Sequence, residues 1–205
     1  VLTVTEDADI RLRVQHRLAG LEMKRGEQIL YEQETTDNAF QLAIEAYTLL
    51  LAQNPQHPRN DLLLYQLSKA YDLDGQFDQS MQVLDQLISE YPQSSHYAEA
   101  QFRRAEIFFS RSNYRQAELA YAQVINQGET SSYYQNALYM HGWSQFKQQR
   151  YRASLQSFDQ VLLANVPADN QLENLARGQR ELTQDTFKVM SIVFSYLAVS
   201  YTHLR

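Results

Sequence analysis

A single spacing constrains this chain more than any other feature. Gly75-Gln-Phe77-Asp-Gln-Ser80 aligns with Ser112-Asn-Tyr114-Arg-Gln-Ala117 and with Gln149-Arg-Tyr151-Arg-Ala-Ser154, 37 residues apart both times. The same spacing superposes Ser68, Ala105 and Gly142; Tyr65, Phe102 and Tyr139; Leu84, Tyr121 and Phe158; and Leu87, Val124 and Val161. One further step towards the N-terminus reaches Phe40, Ala43, Tyr47 and Leu50, the second half of another copy. A fixed period of this length marks a stacked array of units, none of which can bury its apolar face alone.

Each unit reads as two helices. Leu63, Leu64, Leu67 and Tyr71 fall at helical spacing, as do Ala100, Ala105 and Phe108. A short break follows, and a second helix then carries Phe77, Ser80, Met81, Leu84, Leu87 and Ile88 on one face. Small residues recur in pairs where two helices approach closely: Ser68 with Ser80, Ala105 with Ala117, Gly142 with Ser154. Phe77, Tyr114 and Tyr151 are expected to fill the wedge between hairpins. Pro55 and Pro92 close second helices, which a proline cannot continue.

These columns resemble the tetratricopeptide repeat, whose unit is about 34 residues. Its small eighth and twentieth residues match Ser68 and Ser80, its eleventh and seventeenth aromatics Tyr71 and Phe77, and its thirty-second proline Pro92. The third copy departs, with Gln145 at the eleventh position and His141 in place of an apolar seventh residue. The added residues lie in the loop between units. That loop, Tyr91-Pro-Gln-Ser-Ser-His-Tyr-Ala-Glu-Ala100, looks like the variant in bacterial envelope proteins, among them an outer-membrane assembly lipoprotein and a periplasmic coordinator of cell division. The resemblance covers about Asp37 to Ala164. It implies an all-α, right-handed α-solenoid with hairpins at about 61–90, 98–127 and 135–164, preceded by Asp37 to Gln53 as a second helix.

Three regions follow: residues 1–36, an N-terminal helical cap or partial repeat; 37–164, the array; and 165–205, an irregular segment leading into an apolar helix. In the first, Ile10, Val14, Leu18 and Leu21 form a stripe between Glu6 and Glu34, and Gly26 is the expected weak point. Thr35 to Asn38 reads as linker and N-cap. Asn165 to Asn170 reads as a loop, Gln171 to Arg180 as less regular, and Glu181 to Ala198 as a helix. The apolar-rich stretch Phe187 to Val199 is too short to span a bilayer. The chain is expected to be a mature form or a piece of a longer protein.

Composition removes several chemistries. The 205 residues include no cysteine, which excludes thiolate metal sites and cysteine nucleophiles. Lys+Arg 18 against Asp+Glu 24 leaves a net −6, contrary to what a nucleic-acid backbone binder needs. The five histidines, His16, His57, His96, His141 and His203, form no metal-binding pair on one helix face. No phosphate-cradling loop or nucleophile elbow occurs. The acidic runs Glu6-Asp-Ala-Asp9 and Asp72-Leu-Asp74 read as solvated acids, and His141 as a hydrogen-bonded packing residue. The expectation is a chain with no catalytic residues, cofactor or metal.

The resemblance implies a binding module whose first helices line a concave groove. The residues that match its inward positions are Tyr65, Lys69 and Asp72; Phe102, Glu106 and Phe109; and Tyr139, Trp143, Phe146 and Lys147. Trp143, Phe109 and Phe146 are expected to share one patch; packing between hairpins is the other role open to Tyr65, Phe102 and Tyr139. Family members that grip a C-terminal carboxylate use Lys, Asn and Arg at set positions; Tyr65, Lys69, Arg103, Asn136 and Met140 stand there and do not match as a set. The implied partner is therefore an apolar or mixed peptide segment or partner helix. The leading expectation is a periplasmic scaffold of the bacterial cell envelope. A cytoplasmic adaptor or regulator, and an accessory domain of a larger enzyme or secretion component, are the alternatives.

Overall fold

The computed structural model describes residues 8–33, 39–166 and 172–202. The expected N-cap at Thr35 to Asn38, His203 and most of the 165–170 loop lie outside them. Nine α-helices follow one another among the described residues: α1 Ala8–Gln33, α2 Gln41–Gln53, α3 Asn60–Leu73, α4 Phe77–Glu90, α5 Tyr97–Ser110, α6 Tyr114–Asn126, α7 Tyr134–Lys147, α8 Tyr151–Asn165 and α9 Arg177–Thr202. A short 3-10 turn, Leu172–Asn174, precedes α9. The fold class is the expected one, all-α and of the α-solenoid kind, built of helix hairpins. The hairpins α3–α4, α5–α6 and α7–α8 match the expected ranges to within a residue. Helix α9 begins earlier than expected, so Arg177 to Arg180 are already helical.

The backbone repeats as faithfully as the side chains. Gly75, Ser112 and Gln149 each adopt a positive φ, of 74°, 59° and 61°. At each, the amide bonds back three residues, to Asp72, Phe109 and Phe146, and the next amide bonds back five, to Tyr71, Phe108 and Gln145. This pattern satisfies the last carbonyls of the first helix while reversing the chain. The junctions between hairpins repeat too. Amides of His57, Ser94 and Ser131 bond to the carbonyls of Asn54, Tyr91 and Gly128, and those of Asn60, Tyr97 and Tyr134 bond to His57, Ser94 and Ser131. Each junction between hairpins is thus two consecutive chain-local turns.

The chain divides into two compact units, Val1–Ala100 and Gln101–Arg205. In the first, Ala19 and Met23 of α1 join Phe40, Ala43, Tyr47 and Leu50 around α2, with Leu63, Leu67 and Ala70 of α3, in one core. The sequence marks Gly26 as a weak point; the structure corrects this. Helix α1 runs unbroken through it, and a Cβ there would lie 2.6 Å from the Phe40 ring and 2.7 Å from the Ala39 carbonyl. Gly26 lets α1 touch the start of α2. In the second unit Phe158, Val189 and Val193 form a core with Tyr139, Trp143, Phe146, Tyr151 and Met190 packed on it. Gly142 plays the same part there, with a Cβ position 2.8 Å from the Phe158 ring.

Phe77 corrects a second expectation, for it is 50 % exposed and fills no wedge. The reason lies five residues earlier. Phe109 packs edge-on against Tyr114 at 5.3 Å between centroids, and Phe146 meets Tyr151 at 5.5 Å. The residue five before Phe77 is Asp72, which has no ring to offer.

Candidate functional site

In the first unit, α3 presents Tyr65, Lys69 and Asp72. Tyr65 stacks on His96 with centroids 4.3 Å apart and planes within 8°, and its hydroxyl donates to Glu99 Oε1 at 2.8 Å. Lys69 Nζ stands 5.7 Å from the centre of the same ring, an arrangement that favours the cation. Tyr65 and Lys69 therefore act together, while half-buried Asp72 sits at the end of α3, its carbonyl accepting from Gly75.

In the second unit the expected residues fall into three groups. Phe102 packs against Tyr121 and Tyr133, at 5.6 and 5.3 Å. Glu106 accepts the hydroxyl of fully buried Tyr121, and burial followed by that carboxylate pushes the phenol far above its ordinary range. Phe109 makes its ring contact with Tyr114 inside its own hairpin. Tyr139, Trp143 and Phe146 do come together: Trp143 meets Tyr139 at 6.3 Å, Phe146 at 5.4 Å and Phe158 at 6.1 Å. Phe146 also touches Tyr196 of α9 at 5.2 Å. These three rings are half-buried, so they share packing with whatever surface they offer. Lys147, at the end of α7, is exposed.

Sequence reasoning missed a polar cluster centred on Glu118 of α6. Its carboxylate accepts from Gln145 Nε2 at 3.0 Å, Gln148 Nε2 at 2.9 Å and Arg150 Nη1 at 2.7 Å. His141 Nε2 lies 3.8 Å from the same carboxylate, and His141 Nδ1 lies 3.0 Å from Ser157 Oγ on α8. Ser157 in turn donates to Gln145 Oε1 at 3.0 Å. Burial on its own would push the Glu118 carboxyl up; the three donors and the Arg150 charge hold it below its ordinary value. Burial, against the pull of Glu118, lowers the His141 imidazole. The signal was present in the two departures of the third copy: Gln145 and His141 lie one turn apart on α7 and serve the same cluster.

Among the described residues, no group of three or more His, Asp or Glu is placed to hold a metal ion, and no helix is long and apolar enough to cross a membrane.

Two models of the tetratricopeptide repeat match the chain, over residues 34–103 and 136–164. No curated protein matches it. The fold is similar to the crystal structure of a tetratricopeptide repeat protein from Parabacteroides merdae, at 16% identity over 90% of this chain and 67% of that one, with a TM-score of 0.59. It is similar to nearly identical TPR-like repeats of a putative kinesin light chain from Podosopora anserina, at 16% identity over 97% and 100%, TM-score 0.59. It is also similar to MamA from Desulfovibrio magneticus, at 13% identity over 90% and 96%, TM-score 0.55. At such identities the likeness to these structures is one of fold. By its two matched stretches, its repeated hairpins and the columns they align, the chain carries tetratricopeptide repeats over residues 34–103 and 136–164.

Proposed function

We propose that this chain is a non-enzymatic scaffold of the bacterial cell envelope, located in the periplasm, and that it takes a peptide segment or partner helix along the first helices of its hairpins. The observation that carries the reading is the chemistry of that column. Tyr65, Phe102, Phe109, Tyr139, Trp143 and Phe146 all keep part of their surface open. Charged Lys69, Glu106 and Lys147 stand beside them. Large amphipathic rings with charged neighbours are the residues that anchor interfaces, and stacked helical repeats offer them along an extended surface. The envelope assignment is supported by the longer junction between units and its resemblance to envelope members of the family. A chain without cysteine suits an oxidising compartment.

The test is capture from a native envelope extract. Trp143→Ala should weaken partner capture by about 2 kcal/mol or more, the range of an interface hot spot. Gln123→Ala on the exposed face of α6 should leave it unchanged. Folding of both variants is checked by circular dichroism. A partner retained by Trp143→Ala and lost by Gln123→Ala would move the binding surface to the second helices. Release of the chain by osmotic shock of the native cells tests the compartment; recovery with the cytosol would favour an adaptor there.

A further inference from the structure

Helix α1 is 26 residues long, twice the 13 of its partner α2. Gln15 Nε2 reaches Gln53 Oε1, at the end of α2, at 3.3 Å. The turns of α1 before Gln15 therefore overhang the loop that leads into α3. At the overhang, α1 and this loop enclose a cleft of about 300 Å³, and it adjoins a second, of about 480 Å³, that runs along α1 against α2 and α3; the two share Arg13 and His16. Arg17 and Lys24 complete the cationic side from α1, and His57 and Arg59 supply it from the loop. The floor is apolar, made by Met23, Tyr47 and Leu63. One carboxylate, Glu27, faces four permanent cations and two imidazoles.

In a chain with an excess of acids, gathering these cations from two elements of the fold concentrates positive potential in a concave, low-dielectric place. His16 carries the imprint. Its Nε2 is buried without a hydrogen-bond partner, and burial together with His57 and Arg59 holds its imidazole below the ordinary range. An anion in the cleft would reverse that electrostatic cost and offer the orphaned nitrogen an acceptor once it is protonated.

We infer that these adjoining clefts along α1 bind an acidic peptide segment, its carboxylates paired with Arg17 and Arg59 and an apolar side chain laid on Met23, Tyr47 and Leu63. A peptide, more than a free anion, suits a basic rim over an apolar floor that is open along its length. The inference rests on the reading of the chain as a peptide-binding scaffold. It adds a second contact region, basic where the aromatic column is mixed in charge.

The experiment is calorimetric titration of the intact chain with three probes: a short capped peptide rich in Glu and Asp with two leucines, its Gln and Asn counterpart, and inorganic pyrophosphate. The acidic peptide should bind, should weaken as salt rises, and should bind roughly tenfold or more tighter than its neutral counterpart. Arg17 and Arg59 are exposed, so the double variant Arg17→Glu, Arg59→Glu should keep its circular dichroism and lose roughly tenfold or more in affinity. The His16 imidazole, followed by NMR, should titrate at higher pH with the acidic peptide bound. Equal binding of both peptides, unchanged binding by the double variant, or binding of pyrophosphate alone would each overturn the inference. So would no binding of any probe. A chain that loses its partner on Trp143→Ala yet ignores the acidic peptide would overturn this site and leave the aromatic column standing. Acidic-peptide binding that survives Trp143→Ala, with partner capture also unchanged, would do the reverse.

Discussion

His141 and Ser157 stand 3.0 Å apart, and the direction of the hydrogen bond between them is decided by a third residue. Gln145 spends its amide N–H on Glu118, so its carbonyl oxygen faces Ser157 and must accept the hydroxyl proton. Ser157 is left as an acceptor, which assigns the imidazole proton to Nδ1 of His141. Nε2 then turns a lone pair towards the Glu118 carboxylate at 3.8 Å. The neutral ring suits its burial, while a second proton would suit only Glu118.

The cluster should make stability depend on pH. His141 is lowered from 6.5, so an unfolded chain takes up this proton first as pH falls. Stability contributed by the neutral imidazole is complete above about 6.5 and lost below it, through the folded value. Glu118 is lowered too, so its contribution is present above its unfolded value and lost at still lower pH. Melting temperature should therefore fall from pH 7.5 to 5, about neutral to mildly acid. His141→Leu should flatten that fall relative to the parent chain, the slope due to His16 remaining. An unchanged slope would remove His141 as its source.

Ser112→Gly and Gln149→Gly should each stabilise the chain. Both native residues hold a left-handed backbone that costs an L-residue about 1–2 kcal/mol, partly offset by the greater freedom of glycine when unfolded. A net gain of about 0.5–1 kcal/mol in chemical denaturation is expected. Gly75→Ala should lose a similar amount, since the same turn is then strained at φ 74°. Opposite signs at these equivalent positions are the check.

Asp72→Phe should supply the ring that Phe77 lacks. Phe109–Tyr114 and Phe146–Tyr151 show the geometry, and such pairs are worth about 0.5–1.5 kcal/mol beyond area burial. The variant also removes an acid from the last turn of α3, where the helix dipole disfavours it. A higher denaturation midpoint is expected, and it should vanish in the background of Phe77→Ala.

Gly26→Ala and Gly142→Ala should both destabilise, by about 1–3 kcal/mol, because one methyl group overpacks a close approach. The first loss should be the harder to relieve. Its clash includes the Ala39 carbonyl, whereas the nearest atoms to the second all belong to the Phe158 ring. A Gly26→Ala chain as stable as its parent would mean that α1 and α2 can separate without penalty.

Most of the fold was legible because the hairpin columns, the turn residues and the junctions all share one period. Gly26 misled because its helix-weakening propensity can be read from sequence while the ring of Phe40 against it cannot. The column of Tyr65, Phe102 and Tyr139 was visible, but not which rings each would meet: Tyr65 found His96, whereas Tyr139 found Trp143 and Phe158. His141 and Gln145 looked like separate irregularities, since their partners Glu118 and Ser157 come from other helices. The basic cleft gave no local signal. Arg13 and His16 are far along the chain from His57 and Arg59, and only the overhang of α1 brings them together.

The chain has a single tryptophan, and it sits among Tyr139, Phe146 and Phe158 in the second unit. Its ultraviolet emission is therefore a reporter built into one half of the molecule. Melting of α7 to α9 will shift that emission towards the red as water reaches the indole. The first unit, with tyrosines alone as fluorophores, will melt almost silently at the same wavelength. Emission and helical ellipticity should trace one curve if the two units unfold together, and two curves if they do not.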